Sequence, residues 1–165
     1  MNNLILCGFM GCGKTTVGQR LAQLAGMGYL DLDQQIQEEN GMPIPQIFAQ
    51  LGQDHFRRLE HQAIARLAQR EGYVVSTGGG ALANPQNAAA IDHLHDKVVF
   101  LDAPFQVCFD RIRESDRPLV QQNTPEQLRA LFDSRRSHYL AAADLKVDAS
   151  LPVDQVARAV LDALP

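Results

Sequence analysis

Short apolar runs alternate with longer amphipathic stretches along the chain. The runs predict strands over Asn3–Cys7, Tyr29–Leu32, Tyr73–Ser76, Val98–Leu101 and Asp144–Val147. The amphipathic stretches predict helices over Lys14–Leu24, Gln34–Asn40, Pro45–Leu51, Asp54–Arg70, Pro85–His95, Phe105–Arg113, Pro125–Ala142 and Pro152–Leu164. Asn84-Pro85 and Thr124-Pro125 each place a capping side chain before a proline suited to a first helical turn. Strands separated by helices favour an α/β fold, a parallel sheet covered on both faces. Two stretches break the rhythm: the helical insertion between Asp33 and Arg70, and the polar segment Glu114–Asn123. In α/β proteins such excursions commonly carry function.

A chain of 165 residues suits one domain with a sizeable core. The net charge of −4 gives no general attraction to nucleic acid or anionic membrane, so a bound anion must be held by local basic residues. No apolar run approaches the roughly 20 residues that span a bilayer, and Met1-Asn2-Asn3 does not resemble a leader peptide. Three cysteines without CxxC spacing argue against a disulfide framework or zinc site, and a cytoplasmic location is expected. The five histidines are scattered, with no metal-ligand spacing.

The stretch Gly8-Phe9-Met10-Gly11-Cys12-Gly13-Lys14-Thr15-Thr16 matches G-x-x-x-x-G-K-[ST], with a strand predicted before it and a helix after. Its glycines let the backbone wrap an anion, and the following helix adds its positive end. Lys14 is placed to neutralise outer phosphate oxygens, and the Thr15 hydroxyl to ligate Mg²⁺ on a nucleotide. Gly11, Cys12, Gly13, Lys14, Thr15 and Thr16 are the candidate nucleotide-binding residues. The guanine-reading pattern NKxD is absent and the chain is short for a motor ATPase, so a small-molecule kinase fits best.

The acceptor must then be read from the rest of the chain. Asp31 and Asp33 end the second predicted strand, about 7 Å apart on one face by strand geometry. They suit a water of the Mg²⁺ shell and an attacking hydroxyl; a plain polar pair at a strand end has the same spacing. Arg57 and Glu60 lie three apart on a predicted helix, beside Phe48 and Phe56. They read either as an aimed carboxylate clamp with an apolar wall or as an ordinary surface ion pair. Gly78-Gly79-Gly80 after the third strand is either a close approach to a ligand or a tight turn.

Taken together, GFMGCGKTTVG, YLDLD, IF…G…FRRLE, STGGG, Asp116-Arg117-Pro118-Leu119 and Arg135…Tyr139…Ala143-Asp144 resemble, in order, the motifs of the shikimate kinases. The resemblance covers most of the chain. It implies the nucleoside monophosphate kinase fold, with five parallel strands in the order 2-3-1-4-5. It implies phosphorylation of shikimate by ATP with Mg²⁺, a step towards chorismate and the aromatic amino acids, by a monomer.

The same resemblance implies that Asp33, Arg57, Gly78, Gly79, Gly80 and Arg135 hold shikimate and that Asp33 is the candidate base. Asp31 and Thr15 serve the metal, Lys14 and Arg117 stabilise the moving phosphoryl group, and Arg111 lies along the adenine. Residues 1–165 form a single kinase domain, residues 33–61 the acceptor segment and residues 112–124 a lid expected to move. Gluconate kinase, a nucleoside monophosphate kinase and a non-catalytic nucleotide-binding module are the competing readings. The chain departs from the family pattern at Gln53, Ser137-His138 and Met42-Pro43. Cys12, beside a helix N-terminus, is expected to react with alkylating agents and to be protected by Mg-ATP.

Overall fold

The computed structural model describes residues 2–165; Met1, part of the start compared with a leader peptide, lies outside them. Five strands, β1 Leu4–Cys7, β2 Gly28–Asp31, β3 Tyr73–Ser76, β4 Lys97–Asp102 and β5 Leu145–Asp148, form one parallel sheet in the order β2-β3-β1-β4-β5. The expected strand order is therefore observed. The helices are α1 Lys14–Ala25, α2 Leu32–Asn40, α3 Ile44–Leu51, α4 Gln53–Ala65, α5 Pro85–Ala89, α6 Phe105–Ile112, α7 Pro118–Gln121, α8 Pro125–Ala142 and α9 Val153–Ala163. β1 is central, and its four residues are apolar and buried, as a strand covered on both faces requires. α1 packs with α9, while α4, α5 and α8 make a second connected set.

Buried Asn3 ties the amino-terminal ends of the strands together. Its Nδ2 donates to the Leu67 and Arg70 carbonyls, its Oδ1 accepts from Tyr73 N–H, and its own N–H donates to Asp96. Its polar groups are thus satisfied inside the fold. α8 starts with Thr124 as its cap and Pro125 in the first turn, as its sequence predicts, and Gln127 completes a capping box.

Three expectations are corrected. The helix predicted over Pro85–His95 ends at Ala89, because Asp92 makes its own turn: its carboxylate accepts from Leu94 N–H and its carbonyl from His95 and Asp96 N–H. Asp31 and Asp33 do not share a strand face. Asp31 ends β2 and caps α2 by accepting from Gln34 N–H at 3.1 Å, and Asp33 lies in the first turn of α2. The segment Glu114–Asn123, expected to be irregular, contains α7, which begins at Pro118.

Candidate active site

The carboxyl ends of β1, β2 and β3 open into a cleft of about 940 Å³. Every residue predicted for the site lines it: the loop residues Gly11 to Thr16, then Asp31, Asp33, Phe48, Phe56, Arg57, Gly78, Gly79, Gly80, Arg111, Arg117 and Arg135.

At one end lies the loop between β1 and α1. Gly13 N-caps α1 at φ 100°, a backbone conformation that costs a glycine little. No side chain caps this helix end, so its first-turn N–H groups and positive dipole are available to an anion. Lys14 Nζ donates to the Gly8 carbonyl at 2.6 Å and the Phe9 carbonyl at 3.1 Å, and Arg111 Nη1 donates to the Gly11 carbonyl at 2.8 Å. Two cations are thus fixed on the loop itself. Cys12 is a correction: its side chain is 1% exposed, so the expected ready alkylation lacks an accessible thiol.

At the other end two guanidinium groups converge. A Cβ on Gly80 would stand 2.7 Å from Arg57 Nη1 and 3.2 Å from Arg135 Nη2. Arg57 is held by Glu60 at 3.0 Å and lies 5.5 Å over the Phe56 ring. Phe48 packs on Phe56 at 4.9 Å between centroids, forming an apolar wall. Arg135 Nη1 is buried with no hydrogen-bond partner among the described residues. A buried, unpaired donor on a cation is costly, and an anionic ligand oxygen would satisfy it. The next turn of α8 holds the glycine segment, since the Tyr139 hydroxyl donates to the Gly79 carbonyl.

Between the two ends sits Asp33, packed against Gly78, where a Cβ would stand 2.7 Å from its Oδ1. Burial raises its carboxyl above the ordinary value, and the Asp31 charge adds to this; Lys14, Arg57 and Arg117 pull the other way. Burial likewise raises Glu60 against the pull of Arg57. Three cations from three elements therefore surround one half-buried carboxylate. That arrangement suits a proton acceptor next to a transferred anion.

Sequence reading missed the apolar rim at the nucleotide end, where Ala149, Leu151 and Val153 line the cleft. Leu151 and Val153 are 43% and 37% exposed. The run Leu151-Pro152-Val153, apolar and uncapped, was the available signal. Met10 and Ile44 also line the cleft without having been singled out.

The sequence model of the family described as shikimate kinase matches residues 10–165. The shikimate kinase of Sulfurihydrogenibium sp. (strain YO3AOP1) is 42% identical over 154 residues, 92% of each chain. The solved shikimate kinase from Acinetobacter baumannii in complex with shikimate superposes with a TM-score of 0.91 at 35% identity, covering 98% of this chain and 92% of that one. A deoxyadenosine kinase from M. mycoides with bound dCTP shares the fold alone, at a TM-score of 0.65 and 14% identity.

Proposed function

The chain belongs to the shikimate kinase family, and on that premise we propose that it transfers the γ-phosphoryl group of ATP to the 3-hydroxyl of shikimate, giving ADP and shikimate 3-phosphate. The observation that carries the choice of acceptor is the convergence of Arg57 and Arg135 on Gly80, in one cleft with half-buried Asp33 and the phosphate loop. Two guanidinium groups suit a carboxylate.

In this reading, Arg57 and Arg135 clamp the acceptor carboxylate, and Gly78, Gly79 and Gly80 admit the ring closely. Phe48 and Phe56 exclude water from its apolar side. Asp33 orients the attacking hydroxyl and takes its proton. Lys14 and the loop N–H groups hold the phosphates, and Arg111 lies along the adenine. Arg117, at the start of α7, brings charge to the phosphoryl group as residues 112–124 close. Phosphoryl transfer depends chiefly on such positioning and charge, and closure keeps water from competing as acceptor.

The donor set fits a magnesium ion carried by the nucleotide rather than a resident metal. Among the described residues no cluster of three or more His, Cys, Asp or Glu side chains forms a cage. Thr15 and Asp31 supply two hard oxygens at the cleft, and one Asp31 oxygen is committed to its cap. When bound, the ion neutralises charge on the phosphates. Residues 33–61 then form the acceptor segment of a single kinase domain. No helix among the described residues is long and apolar enough to cross a membrane, and we take the enzyme to act as a cytoplasmic monomer.

The test is ADP release with Mg-ATP in the presence of shikimate, gluconate, nucleoside monophosphates or no acceptor. Stimulation by shikimate alone is expected. Stimulation by another acceptor instead would overturn the clamp assignment, and ATP binding without turnover on any acceptor would indicate a non-catalytic module.

A further inference from the structure

β2 and β3 run side by side, with Asp31 opposite Ser76 and Tyr29 opposite Val74. The Tyr29 side chain reaches the end of β3, where its hydroxyl donates to Ser76 Oγ at 2.9 Å. Ser76 Oγ in turn donates to the Lys14 carbonyl at 2.8 Å. The direction is forced, because a carbonyl only accepts: the serine proton goes to Lys14, so the serine oxygen accepts the phenol proton. A two-bond chain thus runs from β2 through β3 to the first turn of α1. It is sheltered, since Ser76 is 3% exposed and Tyr29 is half-buried. It also occupies the space that a side chain at position 18 would need: a Cβ on Gly18 would stand 2.7 Å from the Tyr29 ring and 2.9 Å from Ser76 Oγ.

Each link leads to a different part of the cleft. Asp31 lies two residues beyond Tyr29, Ser76 passes directly into Thr77 and the glycine segment, and the accepting carbonyl belongs to Lys14 itself, next to Thr15. Thr77 shares in this anchoring, with its hydroxyl donating to the Leu6 carbonyl at 2.7 Å. Neither Tyr29 nor Ser76 has a part in the phosphoryl transfer set out above.

We propose that Tyr29 and Ser76 are positioning residues for the nucleotide half of the site, setting the depth of Lys14 and Thr15 against the carboxyl ends of β2 and β3. The inference rests on the kinase reading. Its test is Tyr29→Phe, which removes one oxygen and keeps the ring against Gly18. A lost hydrogen bond of ordinary net strength corresponds to about a fivefold change. The expected result is a fall of about that size in kcat/KM for Mg-ATP, with KM for shikimate unchanged within about twofold.

Direct titration with Mg-ADP, which needs no turnover, weakens in parallel. Ser76→Ala gives the same pattern, and the double variant is no worse than Ser76→Ala alone, because the chain acts as one unit. A lower Tm with unchanged Mg-ADP affinity and unchanged KM for Mg-ATP would show a merely structural role and overturn the proposal. An equal rise in KM for shikimate, or additive losses in the double variant, would also overturn it. Failure of the wild-type chain to turn over shikimate would strike the kinase reading instead, while the Mg-ADP titration would still decide the positioning role.

Discussion

Gly80→Ala separates the acceptor clamp from the fold. The new methyl would stand 2.7 Å from Arg57 Nη1 and 3.2 Å from Arg57 Nη2 and Arg135 Nη2, whereas ordinary contact begins near 3.4 Å. Arg57 Nη1 must therefore retreat by 3.4 − 2.7 = 0.7 Å and the other two nitrogens by 3.4 − 3.2 = 0.2 Å. These are the far ends of long side chains, so the fold absorbs the change easily. Gly80 is not among the glycines of positive φ, so alanine meets no backbone strain there. The stiffer unfolded chain even favours folding by about 0.4–1 kcal/mol.

The clamp is less tolerant than the fold. A misplacement of about 1 Å at a positioning group can cost on the order of 100-fold in rate. The expected loss in kcat/KM for shikimate is therefore between about 10- and 100-fold, carried mainly by KM. KM for Mg-ATP stays within about twofold, and Tm is unchanged or slightly raised. The assay is steady-state ADP release with each substrate varied in turn, alongside a thermal melt. An unchanged kcat/KM for shikimate, or a loss shared equally by ATP, would refute the convergence argument.

Asp33→Asn tests the half-buried carboxylate. Its folded carboxyl ionises less readily than in the unfolded chain, because burial and Asp31 outweigh Lys14, Arg57 and Arg117. The ionised form therefore costs stability; that cost is absent below the unfolded value and builds as pH rises through the folded one. The variant should melt higher than wild type near pH 7, with the gap closing towards about pH 4, while turnover falls by about 100- to 10,000-fold. A lower Tm near neutrality would refute the electrostatic account. The three cysteines are buried, and burial pushes Cys7 and Cys108 up to about 12. A disulfide reagent should therefore find no fast-reacting thiol in the native protein and all of them in denaturant; rapid modification with loss of activity would restore the earlier expectation for Cys12. Arg117→Ala should lower kcat by about 100- to 1,000-fold while Mg-ADP affinity changes little, and unchanged kcat would remove Arg117 from the phosphoryl clamp.

The motifs were legible because their chemistry demands particular residue types at fixed spacing, and the strand order follows from the family they resemble. What was misread was local competition. Tyr29 to Asp33 reads as a strand and its end, with a helix from Gln34, yet an acidic residue three positions before glutamine also marks a helix start, at Asp31. The capping bond to Gln34 N–H decided the matter. Strand alternation thus placed the two carboxylates in the cleft for the wrong reason. Pro85–His95 carried a helical pattern that the Asp92 turn cut short. The helix N-terminus beside Cys12 was visible, but its burial depends on tertiary packing that no local pattern reports.

The strand order explains why the charges come from so many places. β1 lies between β3 and β4: its own crossover runs to β2 on one side, the crossover from β3 passes it to β4 on the other, and its carboxyl end sits at the divergence. The phosphate loop occupies that point. Asp31, Asp33 and the glycine segment arrive from the β2 and β3 side, while Arg111 and Arg117 follow β4 on the other. Arg57 and Arg135 come from α4 and α8. The half-buried Asp33 is therefore balanced by cations on separate elements rather than by one permanent partner. A single tight ion pair would hold the carboxylate ionised but would also occupy the oxygen that must accept the hydroxyl proton. Spread cations keep that oxygen open. In the proposed mechanism, Arg117 adds its charge as the lid segment closes over both substrates, so part of the stabilisation arises only on the way to the transition state. That is where binding energy accelerates a reaction rather than merely tightening its complex.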